Sequence, residues 1–438
     1  MMKLLRAVAT VVFLFGGLAG SRSVTASALS ARAALPYFQE ADTISRADDG
    51  RLWGITLGGP LLLVDPETRI VLANQPDTQG RLMRDGPLLR GKLPTDILLA
   101  NSAVEWSQTK WAMIMLPLPE DRYSRATLMV HELWHRVQDE LGLPSSDAQN
   151  NHLDTRDGRY WIQLEWRALA AALATEGPKR AAAITDAATF REQRRLLFPG
   201  AAAQENAMEM HEGLAEYTGV KLSGAPDLAR FVIEGDLRAA PAKETFVRSF
   251  AYANGPAYGI LLDTIGKEWR KGLKPTTDFA ALLLDRAGLA LPSDVSAAAK
   301  KRAPAYNAAA LATEEDAREK KQRAKTQAYR ARLVDGPVLK LPLRNMKMEF
   351  DPGNLVPLDS LGAVYPQIRI VDDWGVLTVS SQGALLSAGF SEATVAQPTE
   401  TKAPALTGDG WTLELKPGWS VAPGSRKGDS QLRQTSTP

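Results

Sequence analysis

Hydrophobic and polar positions change their period twice along this chain. From about 37 to 119 the apolar residues come in short runs, over 52–57, 61–64 and 69–73, divided by Gly, Pro and Asp, which is the punctuation of strands and turns. A last apolar run, 111–116, predicts an edge strand closing this region. Beyond it the period becomes helical. Leu128, Met129, Leu133, Val137 and Leu141 form a stripe, Ser124 offers an N-cap, and Gly142 with Pro144 supplies the stop. Further helices are expected over 160–174, 182–197, 203–221 and 258–270. A charged helix over 313–333 would open on Thr313, with Asp316 in the capping-box position, and reads as a solvated spacer. Alternation then returns over 367–371, 376–379 and 411–415, before a polar tail from about Ser425 whose composition predicts disorder.

These periods predict an α+β chain. Its expected parts are a β-rich region over 36–120, a mainly helical catalytic domain over 121–300, the charged helix, a small β-rich domain over 336–424, and the tail 425–438. Ahead of them, Lys3 and Arg6 precede an apolar run over 7–19, and Ala26-Ser27-Ala28 has the small residues a signal peptidase reads. That predicts a signal peptide over 1–28, cut after Ala28, and export to the periplasm or medium. The run is too short to span a bilayer, so no membrane span is expected after its removal.

Composition narrows the chemistry. A net charge of +2 argues against nucleic acid as a partner, and the absence of Cys excludes disulfides, thiol nucleophiles and cysteine metal sites. Oligomeric state is left open.

Only four His occur, and two of them stand in His131-Glu132-Leu133-Trp134-His135. On a helix, positions i and i+4 share a face, so both imidazoles can reach one ion while Glu132 takes a proton from its water. The plain alternative is an amphipathic helix with two buried, hydrogen-bonded His. A catalytic zinc site also needs a third protein ligand, and two acids compete for that place. Glu165 lies 30 residues after His135, with Arg159 and Arg167 near it as ion-pair partners; Glu212 lies 77 residues after. His152 reads as a loop-pinning residue. His211 should sit about 100° from Glu212 around a regular helix, as a neighbour of the site rather than a ligand.

The segment Met210-His211-Glu212-Gly213-Leu214-Ala215-Glu216-Tyr217 resembles the Glu-Gly-Phe-Ala-x-Tyr signature of the gluzincin metallopeptidases, particularly the leucyl and alanyl aminopeptidase family. The resemblance covers about 105–270. It implies Zn²⁺ held by His131, His135 and Glu212, with Glu132 as general base and Glu216 orienting a ligand His, as in thermolysin-like relatives. Gly213 and Ala215 would let that helix approach the metal helix closely. The interval before Glu212 is longer than in either family and implies an insertion. Ala251-Tyr252-Ala253-Asn254-Gly255 resembles that family's Tyr-x-Lys-Gly region, with Asn254 in place of Lys, which implies Tyr252 as oxyanion helper and Tyr258 as second choice. The family's amine-binding Glu has no counterpart in Trp111-Ala112-Met113-Ile114-Met115, although the strand there can still pair with an extended peptide. The expected function is an exported zinc metallohydrolase cleaving peptide or protein substrates. The alternative is a non-catalytic cell-envelope protein that binds a peptide or partner on the same scaffold.

Overall fold

A computed structural model of the chain describes residues 30–435, apart from 95–96, 147, 351–354 and 401–404. The expected signal peptide and its cut after Ala28 lie outside the described residues. The fold is α+β: among the described residues one helix, then strands, then helices, then strands. It divides into two compact units, the first ending at Glu315 and the second beginning at Asp316. No helix among the described residues is long and apolar enough to cross a membrane.

The first unit opens on a helix, α1 (Ala31–Asp48), where strands were expected. Its Ala34, Phe38, Ala41 and Ser45 are buried at helical spacing, and the Ser30 hydroxyl caps its first turn. The apolar run 52–57 is no strand either. It is a series of turns that lays Trp53 against Trp134, ring centroids 5.9 Å apart, with the indole N–H donated to Thr218.

Six strands follow: β1 (Leu61–Val64), β2 (Ile70–Ala73), β3 (Met83–Asp85), β4 (Leu88–Lys92), β5 (Ser102–Trp106) and β6 (Thr109–Met115). Their order is β3-β4-β2-β1-β6-β5. β6 is therefore not the edge: it runs parallel to β1 on one side and antiparallel to β5 on the other. Alternation buries both faces. Leu61, Leu63, Ala112 and Ile114 join the helical core, whereas Leu62, Val64, Trp111 and Met113 form a second cluster.

The helices are α2 (Arg122–Val137), α3 (Arg156–Leu173), α4 (Gly177–Leu197), α5 (Ala201–Met208), α6 (Leu214–Leu222), α7 (Leu228–Val232), α8 (Phe250–Ile265), α9 (Phe279–Ala287), α10 (Val295–Arg302) and α11 (Ala308–Arg330). α2 starts earlier than expected, because Asp121 rather than Ser124 is its N-cap and accepts from the Ser124 N–H. α8 spans 250–265 instead of 258–270. α5 and α6 are joined by a π-helical turn, Glu209–Gly213.

Glycine decides two close approaches. A Cβ on Gly219 would lie 2.4 Å from the Thr127 carbonyl oxygen, so that glycine brings α6 against α2. Gly213, expected to do this, instead faces α8, where a Cβ on Gly255 would lie 2.0 Å from the Gly213 carbonyl oxygen.

The charged helix starts at Ala308, so Thr313 is no cap; its hydroxyl donates to the Ala309 carbonyl within the helix. Nor is its beginning a free spacer. Leu311 is buried, and Glu315 accepts from Arg159 and Gln163 at 2.6 and 2.7 Å. In the second unit two antiparallel-rich sheets enclose a core that includes Ile370, Trp374, Leu377 and Leu413. The strands Ile368–Asp372, Gly375–Val379 and Trp411–Leu415 pair in succession. The described part of the tail, 425–435, includes a strand where disorder was expected. Its strand Ser430–Gln434 pairs with Trp419–Pro423 and with Val338–Pro342.

Candidate metal centre

The site forms where α2 meets the π-turn and α8. α2 carries His131, Glu132 and His135 on adjoining faces, all sunk into the core apart from the partly exposed His135. The two imidazole Nε2 atoms lie 3.0 Å apart. Glu212 Oε2 lies 3.4 Å from the first and 3.6 Å from the second. Donors set tetrahedrally about 2.0–2.1 Å from an ion are separated by about 3.3 Å, so these edges bracket what a four-coordinate cation requires. His131, His135 and Glu212 form a cluster that could hold a metal.

Each donor is held from behind. His131 Nδ1–H donates to Glu216 at 2.7 Å, and His135 Nδ1–H donates to the Gln138 side-chain oxygen at 2.7 Å. Both Nε2 atoms therefore present lone pairs inward, toward each other and a carboxylate, an arrangement that a cation or a proton must relieve. Burial pulls His131 down, but its bonds to Glu212 and Glu216 and the charges of Glu132 and Glu216 outweigh this and raise it well above its usual pKa. Burial would likewise raise Glu212, yet the Arg248 guanidinium, His211 and the two imidazoles hold its carboxyl well below the carboxylate range. Arg248 bonds Glu212 Oε1 and the Tyr252 hydroxyl bonds Oε2.

Glu132 is different. It is buried, its Oε2 has no hydrogen-bond partner among the described residues, and burial pushes its pKa up to about 6 against the pull of His131 and His135. An orphaned acidic oxygen in a buried site marks unfilled polar space.

Tyr252 lies flat on His131, ring centroids 5.3 Å apart and 11° between planes. Burial and the charge of Glu212 raise its phenol well above the usual value, so it stays a donor. Pro256, one turn on, has no N–H for the Tyr252 carbonyl.

Glu165 is elsewhere. Fully buried, it accepts from Arg191, Arg194 and Tyr258 at 3.2, 2.6 and 2.7 Å. Tyr258 thus belongs to that network and not to the metal cluster. Arg159 and Arg167 are engaged with other groups, Arg159 with Glu315 and Arg167 with backbone carbonyls. His152 donates to Glu205 at 2.8 Å, pinning its turn. The interval between His135 and Glu212 is filled by α3 and α4, close to the helices expected over 160–174 and 182–197 and packed on each other as a hairpin. Sequence reasoning missed Gln138 and Arg248. Gln138 was within reach, since it sits seven residues after His131 on the same helical face. Compared with protein families, curated proteins and solved structures, the chain matches none.

Proposed function

We propose that this chain is a zinc-dependent hydrolase of gluzincin type that cleaves peptide bonds. One observation carries the reading: the His131, His135 and Glu212 donors converge at tetrahedral spacing beside Glu132, whose buried Oε2 has no hydrogen-bond partner among the described residues. Zinc bound there supplies Lewis acidity and brings the pKa of a water to about 7. Glu132 takes the proton from the attacking water and passes it to the leaving amine. Tyr252, a neutral donor stacked on His131, would stabilise the oxyanion that develops on the scissile carbonyl by turning its hydroxyl there from Glu212 Oε2. β5 is the sheet's edge next to α2, and its free backbone groups suit pairing with an extended peptide. The amino-terminal residues fit a protein that works after export.

The test uses the purified mature chain, reconstituted with zinc and dialysed. About one zinc per chain should remain in both wild type and Glu132→Gln, and none in His135→Ala. Only the wild type should cleave a broad peptide library, with Glu132→Gln slower by about 10²–10⁴-fold. A wild type that keeps zinc but cleaves nothing would hand the lead to the non-catalytic, peptide-binding reading.

A further inference from the structure

Around the cluster runs a closed ring of polar contacts, two of them hydrogen bonds, whose proton positions can be worked out. His135 Nδ1 lies 2.7 Å from Gln138 Oε1. Gln138 Nε2 lies 2.9 Å from His211 Nδ1, and His211 Nε2 lies 3.1 Å from Glu212 Oε1. Glu212 Oε2 then faces both ligand imidazoles, which closes the ring.

Glu212 is a carboxylate and can only accept, so His211 Nε2 must carry a proton. In a neutral imidazole His211 Nδ1 is then bare, and the Gln138 amide N–H donates to it. The Gln138 oxygen is left to accept from His135 Nδ1–H. The opposite assignment, with His211 Nδ1–H donating to Gln138 Oε1 at 3.1 Å, would set a bare Nε2 against the carboxylate. One direction satisfies Gln138 and His211 and leaves only the two inward Nε2 atoms to be met by a cation or a proton.

Two backbone irregularities make the ring possible. Gln138 opens the 3₁₀ turn that tightens the end of α2 just after His135. His211 and Glu212 both lie on the π-turn, whose wider winding lets successive residues serve one site.

We infer that Gln138 and His211 are positioning residues for the metal site, a neutral relay that fixes His135 as its Nδ1–H tautomer and, together with Arg248, holds Glu212 Oε1 so that Oε2 is turned toward the two imidazoles. This deepens the zinc-hydrolase reading and rests on it for the metal, though not for the ring. The two ligand imidazoles are consequently unlike: His131 is backed by the carboxylate of Glu216 and His135 by an uncharged amide.

The experiment uses the full chain with ¹⁵N-labelled histidine, in which four imidazoles are to be assigned. In the zinc-free wild type, long-range ¹H–¹⁵N spectra should show His211 protonated on Nε2 and His135 on Nδ1. Gln138→Leu, close in volume, should move His135 toward its Nε2–H tautomer, a change that loss of packing alone does not produce. Gln138→Leu and His211→Phe should each weaken zinc binding by about 10–100-fold in competition with a chromophoric chelator. An Nδ1–H tautomer at His211, or zinc affinities within about twofold of wild type in both folded variants, overturns the inference. A wild type that binds no zinc removes the metal reading, and the tautomers still decide the ring.

Discussion

Glu165→Gln and Glu212→Gln should separate stability from metal binding. Glu165 is fully buried between Arg191 and Arg194, with Tyr258 and Asn254 completing its shell. The surrounding network holds Arg191, Arg194 and Arg195 against Glu165, Glu205, Glu209 and Asp278. A glutamine at 165 leaves each arginine at least one acid: Glu209 and Asp278 for Arg191, Glu205 for Arg194, and Glu205 and Asp278 for Arg195. No bare cation results. What is lost is the 2.6 Å charged bond from Arg194, because the new NH₂ group must face either that guanidinium or Tyr258 and Arg191. A hydrogen bond to a charged group is worth about 1.5–3 kcal/mol, and breaking a buried pair outright costs about 3–5. The expected loss is therefore about 3 kcal/mol, read from urea unfolding followed by tryptophan fluorescence. Zinc affinity of the folded variant should stay within a few-fold of wild type. Glu212→Gln should do the reverse, weakening zinc by at least about 100-fold, since it removes the charged donor from the cluster. If Glu165→Gln abolished zinc binding while Glu212→Gln kept it, the assignment of the acids would be wrong.

Two further outcomes test the fold that holds the site. Gly255→Ala gains about 1 kcal/mol of helix propensity, but its Cβ would meet the Gly213 backbone at 2.0 Å, which no rotamer relieves. It should destabilise by about 2 kcal/mol or more and lower zinc affinity together, and unchanged unfolding in urea would count against the close approach of α8 to the π-turn. Burial would raise Asp77, but the Ser107 hydroxyl and the N–H groups of Arg81, Leu82 and Gln79 outweigh it and bring its pKa down to about 2 from 3.8. The folded value is depressed, so this contribution is complete above about pH 4 and is lost as pH falls through about 2. The stability gap between wild type and Asp77→Asn should accordingly shrink across that window, and a constant gap from pH 5 to 2 would refute it.

What could be read from the chain and what could not divide by range and regularity. His131, Glu132 and His135 lie within a turn and a half of one regular helix, so their spacing alone puts them together. Glu212 was legible as a local motif, and the helices that fill the interval before it were legible from their period, but not how they pack on each other. Gln138 was open to helical-wheel reasoning from His131, but the part of His211 was hidden because it acts from a π-turn, where regular winding does not hold. The edge strand was misplaced for a similar reason. β5 and β6 are joined at Ser107-Gln108, both with positive φ, a hairpin turn that lacks the Asn-Gly or Asp-Gly signal. The tail looked disordered by composition, but Asp429 accepts from the Val338 N–H and pairs with Arg426, tying a polar strand to the sheet. In 52–57 the apolar residues serve the docking of Trp53 and not strand pairing.

The long interval before Glu212 has a physical use in this fold. Arg191, from α4, grips Glu209 on the π-turn, and Asn254 of α8 reaches the same carboxylate at 2.8 Å. Glu209 and Glu212 belong to that one turn, the first bound into the α3–α4 hairpin and the second facing α2. The hairpin's charge network therefore anchors the turn from one side while the imidazoles and Arg248 engage it from the other. Charged networks of this depth are weak evidence for stability as such, since apolar packing of equal volume can match them. Their better-attested use is to fix register. A π-turn has an alternative, the regular helix one residue out of step, which would carry Glu212 off the imidazole axis. An Arg–carboxylate clamp three residues before Glu212 penalises that slip, because it would strand Glu209 and Arg191 in the core without each other.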